Sequence, residues 1–366
     1  MSEQVGVERG AESAATGSTP ARQTSTSAKP ARRSGVGYAP HRRIESGGIR
    51  RVVRRTRERV VVGGFRAASA GLSLIPTSVS EPVASALFRV GYYGWRAKRQ
   101  IILANASHVL GKPTSDPEVG RLARRIYATY VSFAVELMRL LGLPVDEPLR
   151  LVTAHGEHGA ESFMALWEEC RARGRGLIAV SGHIGSIEVF AAAFAQRGVP
   201  TYGLADDTAY PELLARLNAQ RARWGVRIIN WRNLREVFRA LRKPAVVGLV
   251  VDWGYRPDGV PVKLFDAWTA LPAGPATLAA RTGAVILPVV NRRQPDRTYV
   301  ASHGEPIEVA DDSPAQIQRA TQEIANALEA MVREAPDQWY CFKPMWPATA
   351  RESDALAERA RAMGAT

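Results

Sequence analysis

The stretch His183-Ile184-Gly185-Ser186-Ile187-Glu188 places an imidazole and a carboxylate five positions apart. A histidine with an acid beside it is a pairing suited to general-base chemistry. The imidazole accepts a proton near neutral pH, and the acid orients it and stabilises the cation that forms. On one continuous helix a five-residue step turns two side chains about 140° apart. The two therefore cooperate only if His183 lies in a loop and Glu188 in the first turn of a helix. The flanks fit that arrangement. Residues 176–181 are short, apolar and glycine-flanked, as a buried strand should be. Residues 189–196 are alanine-rich and run into Arg197-Gly198, a helix end. Ser186 is then a natural N-cap, and Glu188 gains from the positive end of the helix dipole. The same dipole resists protonation of His183, which predicts a neutral imidazole at pH 7. Spacing alone fits a structural histidine in a strand-to-helix loop equally well.

Two further blocks carry chemistry. The strongest apolar run of the chain ends in Val250-Val251-Asp252-Trp253-Gly254-Tyr255, so Asp252 falls at the carboxyl end of a strand. It is either a turn-forming aspartate or a second carboxylate facing the His183 cleft. Downstream, Leu271-Pro-Ala-Gly274-Pro275-Ala276 opens a helix, and the amides near Gly274 are free to meet an anion. A metal site is not expected. His155-Gly156-Glu157-His158 lacks the H-E-x-x-H spacing and a third ligand of the usual type.

The elements that must position these groups follow a clear rhythm. Strands are expected at 151–153, 177–181, 201–204, 226–229, 245–251, 285–289 and 299–302. Helices are expected at 159–173, 187–196, 211–224, 234–242, 274–282 and 314–333. This alternation predicts a three-layer α/β domain over 146–350 with a largely parallel sheet, whose ligands bind beyond the carboxyl ends of the strands. Residues 60–145 repeat apolar side chains at three- and four-residue spacing and read as a helical segment. Within it, 86–99 mixes Leu87, Phe88, Tyr92, Tyr93 and Trp95 with Arg89, Arg96, Lys98 and Arg99, a composition suited to a helix lying in a membrane interface. Residues 1–59 read as a disordered basic tail and 351–366 as a C-terminal tail.

Composition narrows the function classes. The formal charge is +14, and the first 59 residues hold 13 basic against 5 acidic side chains. The dense cluster at 49–59 favours anionic lipid headgroups, at about 1 kcal/mol per basic residue near the surface. Nucleic-acid binding is disfavoured, because no aromatic residue interleaves the cluster and no known binding pattern follows it. Two cysteines, Cys170 and Cys341, make no disulfide framework, so a reducing cytoplasmic setting is expected. No secretory signal is visible, and no run of about 20 uncharged apolar residues spans a bilayer. If membranes matter, the protein lies on them.

Taken in order, these blocks resemble the bacterial lipid A biosynthesis acyltransferase family, and within it the actinobacterial phosphatidylinositol mannoside acyltransferases. The resemblance covers roughly residues 65–347. It rests on H-x4-E at His183/Glu188, Asp252 with its glycine-rich loop, and Leu271-Pro-Ala-Gly-Pro with Arg281-Thr-Gly-Ala and Leu287-Pro-Val. Pro336-Asp-Gln-Trp339 and an upstream Asn105-Ala-Ser-His-Val-Leu-Gly111 complete it. It implies a glycerolipid-acyltransferase-like α/β/α domain with a mixed sheet. It also implies transfer of an acyl group from a thioester (acyl-CoA or acyl-carrier protein, with no other cofactor) to a hydroxyl of a membrane glycolipid. His183 would be the base and Glu188 its orienting acid. Amides around Gly182, Gly185 and Ser186, or at Gly274, would hold the oxyanion. The expected location is the cytoplasmic face of the cell membrane, as a peripheral protein at an anionic surface.

Two segments depart from the family pattern. Ala205-Asp206-Asp207-Thr208 is acidic where relatives place an arginine for the acceptor. Trp253 stands where they often carry glutamine or arginine. Arg256, Lys263 and Arg281 are then the remaining candidates for phosphate contact. The alternative readings are a non-catalytic lipid-binding relative and an acyltransferase with a different lipid acceptor.

Overall fold

The computed structural model describes residues 48–140, 144–153, 159–205 and 211–364. Four helices come first: α1 (Gly48–Leu74), α2 (Thr77–Gly94), α3 (Arg96–Leu110) and α4 (Pro117–Leu140). α4 buries Val119, Leu122, Ala123, Ile126, Val131 and Val135, one stripe of a 3.6-residue period. The expected interfacial helix at 86–99 is broken at Trp95, which ends α2 and precedes α3. Tyr92 turns inward, 5.3 Å from the Tyr127 ring, whereas Tyr93 and Trp95 are exposed. α1 starts at Gly48, so the basic run assigned to the tail lies in a helix. Arginine is a good helix former, and Val62 gives this helix an anchored face.

The α/β part continues with α5 (Glu147–Leu151), β1 (Val152–Thr153), α6 (Ala160–Ala172), β2 (Leu177–Ser181), α7 (Ile187–Gln196) and β3 (Thr201–Ala205). Next come α8 (Pro211–Arg223), β4 (Val226–Asn230), α9 (Leu234–Leu241) and β5 (Val246–Val250). The chain closes with β6 (Val260–Leu264), β7 (Ala267–Leu271), α10 (Gly274–Thr282), β8 (Val285–Arg293), β9 (Tyr299–His303), α11 (Pro314–Glu334), a 3-10 turn (Pro336–Gln338) and α12 (Ala350–Ala362).

Seven strands form one mixed, mostly parallel sheet in the order β1-β9-β8-β2-β5-β3-β4. β8, β2, β5, β3 and β4 run parallel, and β9 runs antiparallel to β8. β2 sits at the centre, with Leu177 in register with both Val246 and Val285. Its side chains serve two cores. Leu177 and Ala179 join Phe163, Phe194 and Trp224 beside α6, α7 and α8, while Ile178 and Val180 join Val237, Ala279 and Leu328 beside α9, α10 and α11. A one-residue slip of β2 would exchange these faces, so packing fixes its register and the position of the loop that follows. The chain leaves β2 toward β3 but returns from β5 to β8 on the opposite side, which opens a crevice at the carboxyl ends of these strands.

A hairpin and a helix escaped the sequence pattern. β6 and β7 form an antiparallel hairpin whose turn residues, Phe265 and Asp266, both have positive φ. The segment read as a C-terminal tail contains α12, N-capped by Thr349 and tied down by Arg359, which donates to the carbonyls of Pro257 and Gly259. Its buried Leu356 and Ala360 supply the apolar side that makes the helix stay.

Candidate active site

His183 leaves the end of β2 and Asp252 leaves the end of β5, the neighbouring strand, so the two meet across one inter-strand spacing. His183 Nδ1 lies 2.6 Å from Asp252 Oδ1, and the His183 backbone N–H donates to Oδ2 at 2.8 Å. Trp339 Nε1 donates to the same Oδ2 at 2.8 Å. The Asp252 side chain is fully enclosed. Burial alone would raise its pKa, but the His183 interactions and the Trp339 N–H outweigh that and hold it below the ordinary carboxylate value. An ionised carboxylate only accepts hydrogen bonds. Nδ1 therefore carries the proton, and the neutral ring keeps its lone pair on Nε2. The imidazole side chain is 39 % exposed, so that lone pair can meet a substrate.

The carboxylate five residues along is not the partner of His183. Glu188 sits in the first turn of α7, where the pattern put it, but its oxygens take a two-pronged bond from Arg221 of α8, with Nε donating to Oε2 at 3.0 Å. The turn in between redirects it. Gly185 has φ +57°, and a Cβ there would stand 1.8 Å from the Asn291 carbonyl oxygen. Ser186 is extended and caps α7 by accepting from the Val189 N–H at 3.3 Å. Residue 188 emerges pointing toward α8.

The imidazole is also less acidic than the dipole argument predicts. Burial disfavours its charged form, and Lys343 does too. The Asp252 charge and hydrogen bond overcome both and hold the His183 pKa above its ordinary 6.5.

Four of the five amides from Gly182 to Ser186 are already engaged. Besides His183, Ile184 N–H donates to Gly182 O at 2.8 Å, Gly185 N–H to Gln338 O at 3.2 Å and Ser186 N–H to Asn291 O at 3.1 Å. They brace the loop and are not aimed at an oxyanion. Gly274 opens α10, with open space beside its Cα. Of the three candidate cations, Arg256 pairs with Asp258, Arg281 pairs with Asp312, and Lys263 lies 5.5 Å from the Trp268 ring centroid. Asp206 and Asp207, like His155, Glu157 and His158, lie outside the described residues.

Residues that spacing could not assign hold the centre together. Buried Asn105 of α3 donates from Nδ2 to the carbonyls of Cys341 and Lys343, both at 3.0 Å, and accepts from Met345 N–H at 3.3 Å. On the α4 side, Phe133 stacks on Tyr340 at 5.4 Å and Tyr130 meets Phe342 edge-on at 4.6 Å. Tyr340 N–H donates to His183 O at 2.8 Å. The segment 339–345 thus forms one wall of the site. Trp339 and Asn105 were visible as fixed blocks of sequence, without a signal of what they touch.

A profile of the bacterial lipid A biosynthesis acyltransferase family matches residues 56–347, most of the chain. The chain belongs to this family. A phosphatidylinositol mannoside acyltransferase of Mycolicibacterium smegmatis (strain ATCC 700084 / mc(2)155) is 25 % identical over 290 residues, 76 % of this chain and 90 % of that protein. One of Mycobacterium tuberculosis (strain CDC 1551 / Oshkosh) is 29 % identical over 124 residues, 33 % of this chain and 37 % of that protein. The protein is accordingly a lipid acyltransferase of this family, whose reaction takes an acyl donor and a lipid acceptor. The matched region contains every residue of the His183–Asp252–Trp339 centre and the Glu188–Arg221 pair.

Proposed function

We propose that this acyltransferase moves a fatty acyl group from a thioester, acyl-CoA or acyl-carrier protein, to a hydroxyl of a membrane glycolipid of the phosphatidylinositol mannoside or lipid A kind. One observation carries the reading: a half-exposed imidazole held by an enclosed carboxylate at the carboxyl end of the sheet. In the reaction, the acceptor O–H gives its proton to His183 Nε2 as its oxygen attacks the thioester carbonyl. A C–O bond forms, the tetrahedral oxyanion collapses, the C–S bond breaks and the thiolate leaves with the proton from His183. Asp252 stabilises the imidazolium between the two transfers. The scheme calls on no cofactor beyond the thioester.

Purified protein, offered palmitoyl-CoA or palmitoylated carrier protein with a phosphatidylinositol mannoside or a lipid A precursor, should give the acylated lipid. His183→Ala should lower the rate at least about 100-fold. Because only the neutral imidazole takes a proton, kcat/KM should climb with pH through an apparent pKa above 6.5. Transfer unaffected by His183→Ala, or an acidic limb below that value, would sink the mechanism. A folded wild-type protein that binds these lipids without acylating any of them would be the non-catalytic relative.

Peripheral attachment to an anionic membrane is part of the same proposal. Among the described residues no helix is long and apolar enough to cross a membrane. Around the α1–α2 turn, however, Leu74 is 85 % exposed, and Ile75, Val79 and Val83 are exposed beside it, with Tyr93 and Trp95 further along. The arginine-rich start of α1 adds charge complementary to acidic headgroups. Co-sedimentation with phosphatidylglycerol vesicles should fall about tenfold or more in Leu74→Glu/Val79→Glu, since each change removes apolar insertion and adds repulsion. Undiminished binding would place the contact elsewhere.

A further inference from the structure

Trp253 and Lys343 stand at the rim of the His183 site, and neither gives nor takes the transferred proton. The Trp253 indole is 47 % exposed, whereas Trp339 and Trp346 are buried. Its ring lies edge-on to the His183 imidazole with centroids 5.7 Å apart, and Lys343 Nζ sits 4.7 Å from the indole centroid. Lys343 is exposed, and among the described residues no carboxylate pairs with it. The pair is held in place by structure on both sides. Gly254 has φ +90°, and a Cβ there would come within 2.9 Å of Lys343 Cβ and 3.2 Å of Pro344 O. Tyr255 N–H donates to Pro344 O at 2.7 Å, Asn105 holds the Lys343 carbonyl from behind, and Lys98 Nζ donates to Phe342 O at 2.8 Å.

We propose that Trp253 and Lys343 together read the head of the acceptor. The apolar face of a sugar ring stacks on the indole, and a phosphate of the same molecule pairs with the Lys343 ammonium. This rests on the reading of His183 as the base for a hydroxyl acceptor. The reacting hydroxyl must come within about 3 Å of Nε2. An indole one ring-width from the imidazole then meets the molecule that bears that hydroxyl. The nucleotide of an acyl-CoA is kept from its own thioester by the full pantetheine arm, so it does not reach this ring during transfer. An acyl chain would gain nothing from the ammonium beside it. An exposed aromatic face with one convergent cation is the lining expected for a phosphorylated sugar.

The test compares transfer from palmitoyl-CoA to a phosphatidylinositol mannoside and to a mannosyl diacylglycerol, which has the sugar but no phosphate. Trp253→Ala should raise the KM for both acceptors about tenfold, with kcat and the palmitoyl-CoA KM changed by less than about threefold. Lys343→Gln should raise it only for the phosphate-bearing acceptor, and Lys343→Arg should restore most of the loss. Calorimetric titration with deacylated glycerophosphoinositol mannoside should show the same order of affinities without turnover, and thermal melts should match wild type.

Unchanged acceptor KM and headgroup affinity in both variants would overturn the assignment. So would a shift confined to the palmitoyl-CoA KM, which would mean nucleotide contact, or one confined to vesicle binding, which would mean a membrane anchor. A folded wild type that acylates neither these lipids nor a lipid A precursor would overturn the reading of His183 instead, and this assignment with it.

Discussion

Asp252→Asn should cut turnover by about 1,000- to 10,000-fold while leaving the protein folded. Asp252 receives three N–H donors: His183 Nδ1 on one oxygen, and the His183 backbone and Trp339 indole on the other. An asparagine has one oxygen for them. Facing its NH2 toward the two donors on Oδ2 would oppose donor to donor in an enclosed place. The amide therefore turns its oxygen that way and points its NH2 at His183 Nδ1. Nδ1 must then accept, the ring proton moves to Nε2, and the atom that should take the substrate proton already holds one. The carboxylate charge that raised the imidazole pKa is lost too, so the residual activity should show an acidic limb shifted down. Steady-state transfer across pH 5–9 in wild type and variant reads both effects. A variant retaining more than about a tenth of wild-type kcat with an unshifted limb would show that Asp252 does not set the tautomer.

The second large effect concerns stability. Arg221→Met should destabilise the fold by about 3 kcal/mol or more, because Glu188 is left as an unpaired charge in a closed place. The two side chains are only 16 % and 14 % exposed. Glu188→Leu/Arg221→Met should recover most of that loss, since an apolar pair of similar volume replaces a buried ion pair at little net cost. Denaturant unfolding of wild type, both single variants and the double variant closes the cycle. None of them should move the acidic limb of the pH profile. A limb that moves as in Asp252→Asn would return Glu188 to the proton chemistry. A single variant within about 0.5 kcal/mol of wild type would reduce the pair to an exposed bridge.

These two carboxylates also mark how far the sequence could be read. The layered fold was legible because β2, β5 and β8 are short apolar runs bounded by glycine or proline, and α7 ends on a visible signal. His183 and Asp252 were legible as residues at strand ends. Which acid meets the imidazole was not, because pairing depends on strand neighbours 69 positions apart and on the left-handed turn at Gly185. Spacing along the chain favours the near residue, and the sheet brings in the far one. The β6–β7 hairpin was hidden for a local reason. Its two-residue turn is Phe265-Asp266, although two positive φ angles usually call for Asn-Gly or Gly-Gly. Phe265 is tolerated there because its ring is buried near Trp339 and Trp346, and its N–H donates to Glu329 at 2.5 Å. Arg221 resembled any solvent-facing arginine of an exposed helix until α7 and α8 were laid side by side.

The wall built by residues 339–345 has a bearing on how the protein is made. His183 and Asp252 leave the ribosome well before Trp339, and Asn105 of α3 waits longer still for the carbonyls of Cys341 and Lys343. Until residues 339–345 emerge, the carboxylate has one donor fewer and the rim has no lysine. Under the peripheral attachment proposed above, a nascent chain lays α1 and α2 against a membrane before residues 339–345 are made. Under the mechanism proposed above, copies that stop short of residues 339–345 should leave lipids unacylated.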